Sequence, residues 1–215
     1  VKFKTVHGIG ESYFNVCNIQ NKTNKILDLD FKLNTPAGWE LLNSNVLFSR
    51  SIIPGGEINI PLRITIPRNA LGGMAYVINM VASTKDKEFY GASYVKIPEV
   101  SDWNMQSTID RVYFNELYNS EDFEILLSNK GNSQQVINLK FRIGKNLKML
   151  DSTTNYNLFI SIPPYTDTLL NYTVTKINKS EIVNYSPGNM RDSEIIVTAL
   201  DRKGRKKIKY FRFFD

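Results

Sequence analysis

The sequence predicts an all-β chain made of two consecutive Ig-like antiparallel β-sandwich domains, over residues 1–98 and 99–215. Three observations carry this expectation. Apolar and polar residues alternate along many short stretches separated by turn residues, which is the period-2 pattern of half-buried strands. Helical periodicity is nearly absent. The second half repeats the first: VINLKFRI at 136–143 matches ILDLDFKL at 26–33 in every apolar and polar position, and Asn129-Lys130-Gly131-Asn132 matches Asn21-Lys22-Thr23-Asn24. A repeat at domain length, roughly 110 residues, means two copies of one fold and not a solenoid of short units.

Taken in order, residues 1–6 alternate in part and give a first strand, ended by Gly8 and Gly10. Residues 11–19 give the second, with Cys17 and Ile19 inward, and 21–24 the turn after it. Leu27, Leu29, Phe31 and Leu33 alternate with Asp28, Asp30 and Lys32 in a third strand that stops at Pro36-Ala37-Gly38-Trp39. Trp39 reads as a core plug, since its large ring is costly to expose. Residues 46–48 and 51–53 read as short edge strands.

Residues 54–83 organise this half. Ile58, Ile60, Leu62, Ile64 and Ile66 fall on one face and Glu57, Asn59, Arg63 and Thr65 on the other. Pro54-Gly55-Gly56 starts this strand and Pro67 stops it, the two glycines supplying a turn with positive φ. Residues 69–73 read as a turn into a neighbouring antiparallel strand at 75–82, and 89–97 close the unit before Pro98. In the second half, Ile162-Pro163-Pro164 and the face Thr168, Leu170, Tyr172, Val174 take the places of Pro54 and Ile58 to Ile64. Residues 194–200, 201–204 and 205–214 make a closing hairpin, and one helical turn is expected near 180–185. The linker between Ile97 and Trp103 is short, so the sandwiches are expected to stand end to end.

A length of 215 residues suits two sandwiches of about 100 each. Hydrophobic content of 42% and charged content of 22% are ordinary for a folded chain, and no apolar run approaches the roughly 18 residues of a spanning helix. The net charge of +6 and pI near 9.2 imply weak attraction to anionic surfaces, with no dedicated nucleic-acid site expected. Val1 stands first without a basic-then-apolar leader, so a removed signal sequence or a larger parent protein is expected. Abundant Asn, Lys and Ile with little Ala suggest an AT-rich bacterial genome.

No catalytic, cofactor-binding or metal site is expected. Cys17 is the single cysteine and His7 the single histidine, so neither an intramolecular disulfide nor a multi-histidine or cysteine cluster can form. Asp28 and Asp30 share one strand face, about 6–7 Å apart by strand rise. Their counterparts Asn138 and Lys140 mark that position as a solvated face and not an acid pair. Asn21, Asn171 and Asn178 each begin an Asn-x-Ser/Thr triplet, which chance explains in so Asn-rich a chain. The largest local charge is Arg202, Lys203, Arg205, Lys206, Lys207, Lys209 and Arg212, interleaved with Tyr210, Phe211, Phe213 and Phe214. The first six are the candidate interaction surface, and the competing reading is edge protection against unwanted strand pairing.

The order Asn21-Lys22-Thr23-Asn24, Pro36-Ala37-Gly38-Trp39, Pro54-Gly55-Gly56-Glu57, Ile66-Pro67 and Ala70 through Tyr76 resembles the NPCBM-associated, or alpha-galactosidase NEW, Ig-like domain over roughly residues 11–97. The second half keeps the asparagine turn and the Ile-Pro-Pro start but lacks the Pro-x-Gly-Trp and Gly-x-Tyr elements. The resemblance implies an accessory module of a bacterial surface protein, with no catalytic residues to carry over. The expected function is therefore a non-enzymatic spacer and interaction module of a larger secreted or outer-membrane-associated bacterial protein. Its expected partner is a protein or an anionic cell-surface glycan, and the fragment is expected to be monomeric. A periplasmic pilus-type chaperone and a carbohydrate-binding module are the alternatives.

Overall fold

In the computed structural model, residues 2–6, 12–114, 119–150, 157–177 and 192–214 are described. The segment near 180–185, where a helical turn is expected, lies outside them, as do His7 and Asn178. The chain divides into two compact units, Val1–Pro98 and Glu99–Asp215.

The first unit stacks two four-stranded sheets. One holds β1 (Lys2–Val6), β2 (Ser12–Gln20), β6 (Glu57–Thr65) and β4 (Glu40–Leu41) in that spatial order; the other holds β5 (Arg50–Ile52), β3 (Leu27–Asn34), β7 (Ala75–Ser83) and β8 (Glu88–Lys96). All pairings are antiparallel. Alternation places Ile60, Leu62 and Ile64 of β6 opposite Leu29, Ile78 and Met80 in one core, with Cys17 and Ile19 of β2 beside Ile60 and Ile58. Burial pushes the Cys17 thiol up to about 12, which leaves it a small apolar side chain.

Three expectations need correction here. β6 and β7 are not hairpin partners: β6 pairs with β2 and β4, whereas β7 pairs with β3 and β8. Segment 66–74 is too long for a tight hairpin, which favours two to five residues, and it crosses between the sheets. Tyr76 holds that crossing, since its hydroxyl accepts the Leu71 N–H at 2.8 Å while its ring lies 5.0 Å from that of the buried Trp39. Residues 44–46 form a turn of 3-10 helix, Ser44–Val46, and not a strand; only Arg50–Ile52 pairs at that edge. Of the two motif glycines, Gly55 alone has positive φ (74°), while a Cβ on Gly56 would lie 3.0 Å from the Ile53 carbonyl oxygen.

The second unit has the same spatial order with one strand added. β9 (Trp103–Gln106), β11 (Ser120–Asn129), β15 (Thr166–Lys176) and β13 (Leu147–Met149) form one sheet. β14 (Asn157–Ile162), β12 (Gln135–Ile143), β16 (Glu194–Asp201), β17 (Lys206–Phe214) and β10 (Arg111–Tyr113) form the other. After β9 the chain changes sheet, and β10 runs parallel to the last three residues of β17. The added strand aside, this is the two-sheet, strand-switching order of an Ig-type sandwich. Phe123, Phe141, Tyr172, Phe211 and Phe213 fill its core, with Phe123 and Phe211 centroids 4.6 Å apart.

The turn asparagines explain why the repeat is visible in sequence. Asn21 Nδ2 donates to the carbonyls of Lys25 (2.7 Å) and Ile52 (2.8 Å), and its Oδ1 accepts the Thr23 N–H (2.9 Å). Asn129 Nδ2 donates to Ser133 (2.9 Å), Ile162 (3.1 Å) and Pro163 (2.9 Å), and its Oδ1 accepts the Gly131 N–H (3.1 Å). Each amide ties the turn after the second long strand to the edge strand of the opposite sheet. Both side chains are buried, so Asn21 is not an accessible glycosylation site; Asn171 is exposed.

Candidate interaction surface

The basic cluster at the closing hairpin divides into groups with different work. Along β17, Phe211 and Phe213 point inward while Lys206, Ile208 and Tyr210 point out. Lys207 and Lys209 have the parity of the phenylalanines. They stand on the core-facing side at the sheet's edge, in register with the buried Ala199 and Val197.

At the turn between β16 and β17 the hub is Asp201, only 6% exposed. Its Oδ1 accepts the backbone N–H of Lys203 (2.9 Å) and Arg205 (2.8 Å). Its Oδ2 accepts Trp103 Nε1–H (2.8 Å) and Arg205 Nε–H (2.6 Å). Burial alone would push this carboxyl up, but the bonds from Trp103 and Arg205 outweigh it and hold Asp201 below the ordinary aspartate range.

Arg205 carries the connection further. Its Nη1 donates to the Ser101 carbonyl (2.6 Å) and its Nη2 to Ser101 Oγ, which itself donates to Gln135 Oε1 (2.6 Å). Lys207 Nζ donates to Asn104 Oδ1 (2.8 Å) and sits 5.6 Å from the Trp103 ring centroid. Gly131 completes the joint, because a Cβ there would lie 2.3 Å from the Val100 carbonyl oxygen and 2.7 Å from the Asp102 nitrogen. The whole is a clamp that fastens the start of the second unit to its closing hairpin. Arg205 and Lys207 thus have partners within the unit. The side chains of Arg202, Lys203 and Lys206 stand exposed, and Lys209 is half-buried.

Outward residues of the five-stranded sheet extend the basic character beyond the hairpin. Register places Lys140 beside Thr198 and Ile208, Arg142 beside Ile196 and Tyr210, and Leu200 beside Lys206. Glu194 pairs with Arg212 at 3.4 Å. An open groove of about 700 Å³ on this face is lined by Lys140, Phe141, Arg142, Asn157, Thr198, Leu200 and Lys206. Phe159, 70% exposed, stands opposite Asn138 in the pairing of β12 with β14, and Tyr210 is half exposed. Cations, amide and hydroxyl groups and aromatic rings therefore share one sheet face. Sequence reading reached Lys206 but not Lys140 or Arg142, which come from a strand more than sixty positions away and join Lys206 only through β16.

Asp28 and Asp30 stand exposed on β3, and each accepts a hydrogen bond from a serine hydroxyl, Ser51 and Ser49 respectively. Among the described residues no group of three or more His, Cys, Asp or Glu side chains is placed to hold a metal, and no helix is long and apolar enough to cross a membrane.

No protein-family model matches the sequence, and no curated protein matches it. Solved structures align with it distantly. Red sea bream transglutaminase is 8% identical over 99% of this chain and 31% of its own, with a TM-score of 0.33. Escherichia coli alpha-2-macroglobulin is 14% identical over 78% and 10%, with a TM-score of 0.32. A Porphyromonas gingivalis W83 protein of unknown function is 12% identical over 99% of this chain and 94% of its own, with a TM-score of 0.33. The chain spans less than a third of the transglutaminase and a tenth of the macroglobulin.

Proposed function

We propose that this chain is a non-catalytic tandem Ig-like module of a larger extracytoplasmic bacterial protein, of the kind the NPCBM-associated resemblance implies, and that its second unit binds an acidic cell-surface glycan. The outer face of the five-stranded sheet is the observation that carries the reading. Lys140, Arg142 and Lys206 line one open groove with Asn157 and Thr198, and Phe159 and Tyr210 are exposed on the same face. Carboxylates of uronic acid residues suit the cations, ring hydroxyls suit the amide and hydroxyl groups, and sugar faces stack on aromatic rings. Because the groove is open, attraction is screened by salt.

The test is binding of the chain to polygalacturonate, with a neutral glucan as control, over a range of salt. Binding to the acidic polymer alone, weakening as salt rises and lost in Lys140→Glu/Lys206→Glu, is the expected result. Equal binding to both polymers, or an unaffected double variant, overturns the reading.

A further inference from the structure

The same strand closes each unit, and the two are finished differently. In the second unit β17 is covered over its last three residues by β10 and carries Lys206, Lys207 and Lys209 along the remainder. Its counterpart β8, EFYGASYVK, ends its sheet with no charged residue between Glu88 and Lys96 and no proline; β1 of the other sheet lies near it, but among the described residues β7 is its only hydrogen-bonded neighbour. A nine-residue edge whose seven inner residues are all uncharged is what native sheets normally avoid unless something pairs with it.

The hydrogen-bond phase of β8 is fixed at both ends. Thr84 N–H donates to the Lys87 carbonyl (2.8 Å), and Ile97 N–H donates to the Met74 carbonyl (3.2 Å). Counting inward along the register, the backbone groups of Phe89, Gly91, Ser93 and Val95 face β7. Those of Glu88, Tyr90, Ala92, Tyr94 and Lys96 face the open edge. The side chains of these five are also exposed, Tyr90 by 67% and Tyr94 by 70%. Ser93 is buried and bonded to Asn15 Nδ2 (2.9 Å) and the Tyr13 hydroxyl (2.8 Å), which anchors the strand from inside.

This edge is complementary to itself. We propose that β8 pairs antiparallel with β8 of a second copy of this chain, about a two-fold axis at Ala92. That register sets Glu88 opposite the partner's Lys96 and Tyr90 opposite the partner's Tyr94, with Ala92 opposite its own equivalent. Every outward N–H and carbonyl then meets an outward group of opposite kind. Both ion pairs and both tyrosine pairs lie on one face, continuous with Val77 and Val81, which register with Tyr94 and Tyr90. A two-fold interface demands such self-complementarity, and of the possible occupants only a second copy is guaranteed to supply it. The inference is independent of the glycan reading, which concerns the other unit.

Sedimentation equilibrium of the native chain and three variants tests it. The native chain is expected to show a monomer–dimer equilibrium. Ala92→Pro removes an outward N–H that β7 does not use, so it is expected to abolish the dimer. Glu88→Lys is expected to weaken dimerisation about tenfold by opposing like charges at both ends, and Glu88→Lys/Lys96→Glu to restore it. A native chain that stays monomeric up to millimolar concentration overturns the proposal. So does a dimer indifferent to Glu88→Lys, or one weakened by Glu88→Lys that the double exchange fails to rescue. The charge exchanges leave the backbone untouched, so the test stands even where Ala92→Pro disturbs folding.

Discussion

The two sandwiches share strand order, core parity and the asparagine staple, yet they place their buried polar groups differently. In the first unit the buried trio Tyr13, Asn15 and Ser93 is uncharged and joins a strand of one sheet to the closing strand of the other. In the second, the buried groups include two charged ones, Glu194 paired with Arg212 and Asp201 satisfied by Trp103, Arg205 and two backbone amides. The features the copies hold in common build the sandwich. Those that differ govern its closing edge, so a duplicated fold can give one copy a fastened, basic edge and the other an edge that no further strand pairs with and that is charged only at its ends.

The largest expected effect falls on a feature that differs in detail but not in kind. Each unit holds one of the two tryptophans, so each ring is both a core element and the fluorescence reporter of its own unit. Trp39→Ala is expected to destabilise the first unit by about 3–5 kcal/mol, the usual cost of emptying a large aromatic site, read by the urea dependence of far-ultraviolet circular dichroism. The Trp103 fluorescence transition should stay in place. If both transitions move together, the units do not unfold independently and the comparison fails.

Next comes the staple. Asn129→Ala removes a donor from three carbonyls, of which those of Ser133 and Pro163 keep a bond from Gln135 and Thr166; Asn21→Ala removes one from two, of which that of Lys25 keeps the Thr23 hydroxyl. Each is expected to cost about 1–3 kcal/mol in its own unit, the penalty for lost buried hydrogen bonds that are only partly replaced. Urea melts of the two variants check it, and a loss under about 0.5 kcal/mol in either would show that its unit holds the turn in some other way.

Acid separates the two units. The folded-state pKa of Asp201 lies below its value in the unfolded chain, about 3.9 for an ordinary aspartate. Its contribution is therefore complete above about pH 4 and is lost as pH falls through the folded value. The gap in urea midpoint between the native chain and Asp201→Asn, followed at Trp103, is expected to be widest at neutral pH and to close on acidification. A gap that stays constant down to about pH 2 would show that the Asp201 charge does not fasten the hairpin.

Much of the fold was legible because alternation is a local property. Ile60, Leu62 and Ile64 are inward in β6, and Ile137, Leu139 and Phe141 in β12, where the sequence pattern puts them. Sheet membership was not local. The strand at 57–65 looked like the hairpin partner of 75–83 because the two are adjacent in sequence, and only the pairing of β6 with β2 across about forty residues shows otherwise. The clamp was hidden for the same reason: Trp103 and Asp201 lie 98 positions apart, and nothing local to Arg205 or Lys207 distinguishes them from Lys206.

That last distinction is the most direct test of the claim that the basic hairpin has a structural side and a binding side. Lys206 and Lys207 are neighbours in sequence; one is exposed beside the groove, while the other bonds Asn104 and covers Trp103. Urea melts of Lys206→Glu and Lys207→Glu, followed at Trp103, compare them directly. Lys207→Glu is expected to lower the stability of the second unit by about 1–2 kcal/mol, through the lost charged hydrogen bond and ring contact. Lys206→Glu is expected to stay within about 0.5 kcal/mol of the native chain. Equal losses, or a larger loss at Lys206, would contradict the division of the hairpin into those two sides.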